Sequence, residues 1–174
     1  MKFSFKNDYS EGCHPKILEA LSQYNLDQQN GYGLDIYSEN AANIIREKSK
    51  SPESKVHLVS GGTQANLIVI SSILRPHESV VSANTGHIFT NETGAIEATG
   101  HKVHGVETKD GKLRPEDIQN VLDVHTNVPH QVKQKLVYIS NSTEVGTIYT
   151  KKELENLSEF CKEKNLYLFM DGAR

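Results

Sequence analysis

Cysteine is scarce in this 174-residue sequence: only Cys13 and Cys161 occur, far apart and without metal-ligand spacing. That excludes a disulfide scaffold and a cysteine-held metal, and leads us to expect a reducing, cytoplasmic setting. Cys13 is followed by His14 and Cys161 by Lys162, and neither is expected to be a reactive thiol. Charge of one sign is lacking too: 19 Lys and Arg stand against 22 Asp and Glu, a net of -3. Without a basic excess, neither nucleic acid nor an acidic membrane surface is the expected partner. No apolar run approaches the roughly 18 residues that would span a bilayer. The opening MKFSFKNDYSEG lacks the apolar centre of a secretion signal. Hydrophobic residues are modest at 36%, against roughly 45–50% with glycine in a typical globular chain. Internal repeats, a G-x-G-x-x-G loop and a G-x-x-x-x-G-K-[ST] loop are all missing, so solenoids and the two commonest nucleotide loops are excluded.

What is present is an alternation of short apolar runs and helical patterns. HPKILEALSQY puts Ile17, Leu18 and Leu21 on one helical face with Pro15 in the first turn. After the turn Asn30-Gly31-Tyr32-Gly33, SENAANIIREK predicts a second helix with Ala41, Ala42, Ile44 and Ile45 as its apolar stripe. From Lys55 onward we expect strands at Val56–Val59, Val80–Ala83, Lys102–Val106, Leu136–Ile139 and Leu166–Met170. Helices are expected at Gln64–Leu74, Asn91–Thr99, from Arg114-Pro115-Glu116-Asp117 onward, and at Lys151–Lys164, with an exposed loop over Asp123–Lys133. Strands separated by helices predict an α/β fold with a mostly parallel open sheet and flanking helices.

In such sheets ligands bind at the carboxyl ends of strands, which singles out a few residues. Ser60-Gly61-Gly62-Thr63-Gln64-Ala65-Asn66 joins a strand to a helix. Its glycines admit close backbone approach, and the helix N-terminus offers N–H groups to a phosphate; a plain turn with Thr63 as helix cap is the alternative. Asp171 ends the last strand, beside Gly172 and Arg174, where a carboxylate pairs with a cationic ring nitrogen or merely caps a helix. Among 8 histidines only His87 combines a post-strand loop with small neighbours. His14, His77, His125 and His130 are expected to face solvent, and His57, His101 and His104 to lie on the sheet surface. Glu92, Glu97 and Glu144 are further carboxylates for the same pocket, with Glu97 expected to be solvated.

In order along the chain stand Asn7-Asp8-Tyr9, Gly31-Tyr32-Gly33-Leu34-Asp35, Gly62-Thr63-Gln64-Ala65-Asn66, His87, Glu92, Ser142-Thr143, Gly146 and Asp171-Gly172-Ala173-Arg174. This series resembles the pyridoxal-phosphate-dependent threonine aldolase/β-eliminating lyase family, of the aspartate aminotransferase-like fold (fold type I). The similarity runs over essentially all of the chain, in register with the N-terminal half of that family. It implies an N-terminal helical arm over 1–50, then over 51–174 the N-terminal portion of the large cofactor-binding domain, without the C-terminal remainder and small domain. It also implies pyridoxal 5′-phosphate as cofactor, with Gly62 and Thr63 on its phosphate, His87 stacked on its ring and Asp171 on its pyridinium nitrogen. Arg174 would reach the substrate carboxylate and the cofactor's phenolic oxygen; Asn7 and Tyr32 would serve the substrate side. The implied reaction is retro-aldol cleavage of a β-hydroxy amino acid to glycine and an aldehyde, which needs a base near the hydroxyl.

Glu144 stands where that family commonly has histidine, so a glutamate base, β-elimination or transamination all remain open. The Schiff-base lysine of the family has no counterpart here; Lys112, Lys133 and Lys135 read as solvated loop charges. The 174-residue chain is therefore expected to be inactive, and its full-length parent to be the enzyme. Expected partners are an amino-acid substrate and further copies of the same chain, as a homodimer or homotetramer. A non-catalytic α/β domain binding a phosphate ligand is the alternative from another functional class.

Overall fold

The computed structural model describes residues 4–7 and 9–173. It divides into two compact units, Met1–Leu58 and Val59–Arg174.

The first unit is helical. Helix α1 (Pro15–Tyr24) starts with Pro15 in its first turn, and the His14 imidazole accepts the Lys16 N–H. Helix α2 (Ile36–Lys48) is capped by Asp35, whose carboxylate accepts the Ser38 N–H at 2.8 Å and the Ser38 hydroxyl at 2.7 Å. Those bonds hold the Asp35 carboxyl below its usual range. Between the helices Tyr32 and Gly33 take left-handed backbone angles, φ 63° and 74°. No described residue of this unit is buried. The stripe formed by Ile17, Leu18 and Leu21 exists as expected, but all three remain at least half exposed.

The second unit holds a four-stranded, wholly parallel sheet in the order β2-β1-β3-β4. The strands are β1 (Glu78–Ala83), β2 (Val103–Val106), β3 (Lys133–Ser140) and β4 (Tyr167–Asp171). Every residue of central strand β1 is buried, as a parallel sheet covered on both faces demands. The two-residue period sends Val81, Val137 and Ile139 to one face and Val80, Leu136 and Tyr138 to the other. Ile118 of α6 (Pro115–Val124) and Leu157 and Cys161 of α7 (Lys151–Glu163) pack on the first face. Ile70 of α3 (Gly62–Ile73), Ile88 of α4 (His87–Thr90) and Ile96 of α5 (Ala95–Ala98) pack on the second. Helix α7 begins with a reciprocal cap in which Thr150 Oγ1 accepts the Glu153 N–H and Glu153 Oε2 accepts the Thr150 N–H.

Several local expectations change. Val56–Val59 forms no strand; no neighbouring strand pairs with it among the described residues, and Leu58 and Val59 stay exposed. A strand needs a ladder partner, and an apolar run does not supply one. The expected Asn91–Thr99 helix contracts to α5, while α4 forms just before it, with Gly94 in the left-handed conformation starting α5. His101 and His104 are not surface residues: both are at least nine-tenths buried. His101 Nδ1 bonds the Glu78 carbonyl, and His104 Nε2 lies 3.1 Å from Ser79 Oγ and 3.2 Å from Gln134 Nε2. Lys112 is not a solvated charge either, since its ammonium pairs with Glu153 at 2.6 Å. Lys135 is tied to Asn165.

Candidate active site

The carboxyl ends of β1, β3 and β4 and the N-terminus of α3 assemble one polar site within the second unit. Helix α3 begins at Gly62 behind Gly61, and no side chain caps it. Thr63 is thus inside the helix and exposed rather than its cap. Space beside Gly61 and Gly62 is open, with no atom within 4 Å of where a β-carbon would stand. A twelve-residue helix presents its first N–H groups and positive dipole end there.

Asn66 lies one turn further on and is 2% exposed. Its side-chain amide donates to Glu92 Oε1 at 2.6 Å and to Asp171 Oδ2 at 3.3 Å. The hydroxyl of Tyr138, a fully buried residue, donates to the same Asp171 oxygen at 2.7 Å. Burial, together with the Asp171 carboxylate, raises the Tyr138 hydroxyl pKa well above its usual value, so it remains a donor. Asp171 is therefore no helix cap; it is a strand-end carboxylate held by two side-chain donors.

His87 opens α4. Its Nδ1 lies 2.8 Å from Glu92 Oε1, and its backbone N–H donates to Glu144 Oε1 at 2.7 Å. Against the Glu92 carboxylate the imidazole is the donor. Ser140, on the last residue of β3, donates to the same Glu144 oxygen at 2.6 Å and lies 3.3 Å from the Tyr138 hydroxyl. The contacts close a ring: Asn66, Glu92, His87, Glu144, Ser140, Tyr138, Asp171 and back to Asn66. Gly86 is required for it, because a β-carbon there would stand 2.2 Å from Ser82 Oγ. The His87 side chain remains 44% exposed while that of Glu92 is 1% exposed, so the imidazole stays accessible to a ligand. Glu92 Oε2 is buried without a partner among the described residues.

Of the residues expected from sequence, Gly62, Thr63, His87, Glu92, Glu144 and Asp171 all belong to this unit and its strand ends. Glu97 is exposed, as expected. Asn7 and Tyr32 belong to the first unit: Asn7 Oδ1 accepts from the Ser10 hydroxyl at 2.6 Å, and Tyr32 is fully exposed. Arg174 lies outside the described residues. Sequence reasoning missed the roles of Asn66, Tyr138 and Ser140. Asn66 ended a motif already singled out, but Tyr138 and Ser140 sit in an apolar strand run where nothing marks them. Among the described residues no group of three or more metal-type ligands occurs, and no helix is long and apolar enough to cross a membrane.

Fold and site together define a parallel α/β domain whose polar residues converge at the carboxyl edge of the sheet. Residues 9–174 match the family model for β-eliminating lyases, and the chain belongs to that family. It is 32% identical over 98% of its length to the low specificity L-threonine aldolase of Pseudomonas aeruginosa, covering 49% of that protein. A solved structure of Leishmania major threonine aldolase superimposes with a TM-score of 0.96 at 55% identity, over 99% of this chain and 50% of that one. The fold is also that of a PLP-bound C-S lyase from Staphylococcus hominis, with a TM-score of 0.62 at 20% identity over 90% of this chain and 40% of that one. The chain thus spans about half the length of these two threonine aldolases.

Proposed function

We propose that this chain serves as the N-terminal portion of a pyridoxal-phosphate-dependent lyase that cleaves β-hydroxy amino acids to glycine and an aldehyde. The observation that carries the reading is Asp171. It is a strand-end carboxylate bonded to Asn66 on the uncapped helix α3, in a chain similar to threonine aldolases along almost its whole length. The residues present fit the cofactor. Open space beside Gly61 and Gly62 accepts a phosphate, and the accessible imidazole of His87 accepts a planar ring. Bound there, the cofactor supplies an electron sink for the carbanion left at the substrate Cα.

The chain's own residues divide the remaining work. Backbone N–H groups at Gly62 and Thr63 bind the phosphate. His87 covers one face of the ring, held by Glu92 through Nδ1. Asp171 meets the ring nitrogen with Oδ1, since Oδ2 already accepts from Tyr138 and Asn66. Glu144 takes the β-hydroxyl proton on Oε2, its Oε1 being occupied by His87 and Ser140. The family resemblance assigns the substrate carboxylate to Arg174 and names Asn7 and Tyr32 as substrate-side residues.

No lysine ammonium has a described contact with the ring of residues around Asp171. In this reading the Schiff-base lysine is supplied from outside residues 1–174, and these residues by themselves give no turnover. The protein acts in the cytoplasm as a homo-oligomer. Free Cys13 and Cys161 support the first point, and the exposed apolar stripe of α1 supports the second.

The test is an absorbance spectrum of a protein joining this chain to the unmatched part of a threonine aldolase relative, with pyridoxal phosphate and then L-threonine or L-allo-threonine. A cofactor band that shifts with substrate and yields acetaldehyde supports the reading. A band without acetaldehyde moves the chemistry to β-elimination or transamination. No band overturns the cofactor assignment.

A further inference from the structure

We infer that Tyr138 is a positioning residue for the cofactor nitrogen, acting through Asp171; the inference rests on the proposed cofactor. The Tyr138 ring is sealed in the core, fully buried and packed edge-on against Phe169 with ring centres 5.6 Å apart. Its hydroxyl has one placement, 2.7 Å from Asp171 Oδ2. Asn66, itself 2% exposed, donates to the same oxygen from helix α3 at 3.3 Å. Two donors from different elements converge on one oxygen and leave Oδ1 with no partner among the described residues.

A strand-end aspartate without such a clamp rotates about χ1 and χ2, and its carboxylate spreads over several placements. Clamping Oδ2 directs Oδ1 outward in one direction before any ligand arrives, so binding has less side-chain freedom to remove. Tyr138 itself never touches the ligand. Its place in the apolar run LVYIS of β3 puts it one strand over from Asp171, at the Tyr138–Phe169 register two residues before the Ser140–Asp171 pair. A phenol is long enough to span that offset and deliver its hydroxyl to the strand end.

The experiment compares the affinity of two ligands in the chain joined to the unmatched part of a threonine aldolase relative: pyridoxal phosphate, and its 1-deaza analogue, in which C–H replaces the ring nitrogen. Tyr138→Phe keeps the ring and removes the donor. If Tyr138 acts through Asp171 on the nitrogen, pyridoxal phosphate binds about five- to tenfold more weakly to the variant, on the scale of one charge-assisted hydrogen bond misplaced. The deaza analogue then changes less than about twofold, because it offers Asp171 nothing to hold. A merely structural role lowers both affinities equally. Equal loss, or no loss of either, overturns the inference and leaves the cofactor reading standing. A wild-type protein that binds neither ligand overturns the reading, and the inference with it. A melting curve checks that the variant folds. Should it not fold, Asn66→Leu removes the other donor to Oδ2, and the same fall in the ratio of the two affinities is expected.

Discussion

Replacing Glu92 by leucine tests whether the ring of hydrogen bonds around His87 is held together by a buried charge. Glu92 Oε1 accepts from Asn66 at 2.6 Å and from His87 at 2.8 Å, and its side chain is 1% exposed. Leucine is larger by about one methylene and has no acceptor, so the apolar contacts are kept at a small packing cost and both bonds are lost. Each hydrogen bond to a charged group contributes about 1.5–3 kcal/mol. Three effects reduce the total. Glu92 Oε2 is buried without a partner, and its desolvation cost disappears with the carboxylate. The His87 ring is 44% exposed, so its Nδ1–H turns to water. Asn66 keeps Asp171 as acceptor. The net loss is about 2 kcal/mol, which for a unit of this size lowers the melting temperature by about 7 °C. Glu92→Gln retains an oxygen acceptor and costs about half as much. Urea denaturation followed by circular dichroism measures all three proteins. A loss below about 0.5 kcal/mol for leucine, or an equal loss for glutamine and leucine, refutes the reasoning.

Three further outcomes follow from particular contacts. Burial first, then Lys102 and His125, lowers the His104 pKa from 6.5 to about 4. Its imidazole faces Ser79, Gln134 and the edge of His125. A base that binds protons less well when folded contributes stability that is complete above pH 6.5 and is lost as pH falls towards 4. After discounting for solvent screening this amounts to about 2 kcal/mol. His104→Asn therefore flattens the pH dependence of stability between those values, and parallel curves for the two proteins would contradict it. Gly86→Ala forces a β-carbon onto Ser82 Oγ, costs about 1–3 kcal/mol and shifts the start of α4, measurable as a lower melting temperature and weaker cofactor binding. Thr150→Ala removes the α7 cap and costs about 1 kcal/mol, read by denaturation with site chemistry unchanged.

The strands of the sheet were legible wherever a continuous apolar run fell between helices, because a parallel strand covered on both faces admits no polar alternation. Leu136–Ile139 satisfied that condition, and Val80–Ala83 did so but for Ser82; they became β3 and β1. Val56–Val59, interrupted by His57, formed no strand, since pairing depends on a neighbour that composition does not name. Pro115 marked the start of α6 in the sequence, whereas α2 begins at Ile36 behind Asp35, two residues before the expected SENAANIIREK segment, although the Asp35 and Thr150 caps also act within three residues of themselves. Gly62, His87, Glu144 and Asp171 stood out because polar residues after strands gather at one edge of a parallel sheet.

What sequence alone determined, then, is what short range settles: helix starts, apolar strand runs, and the residue types waiting at strand ends. The tertiary structure decided which of those groups meet. Asn66 and Asp171 are 105 positions apart, yet share a hydrogen bond. Tyr138 looks like core in the sequence and becomes a donor only because β4 lies beside β3. His104 looks like sheet surface and is buried by its contacts with Ser79, Gln134 and His125. Distances between side chains remote in the chain follow from strand order and register, and those are set by packing both faces of the whole sheet at once.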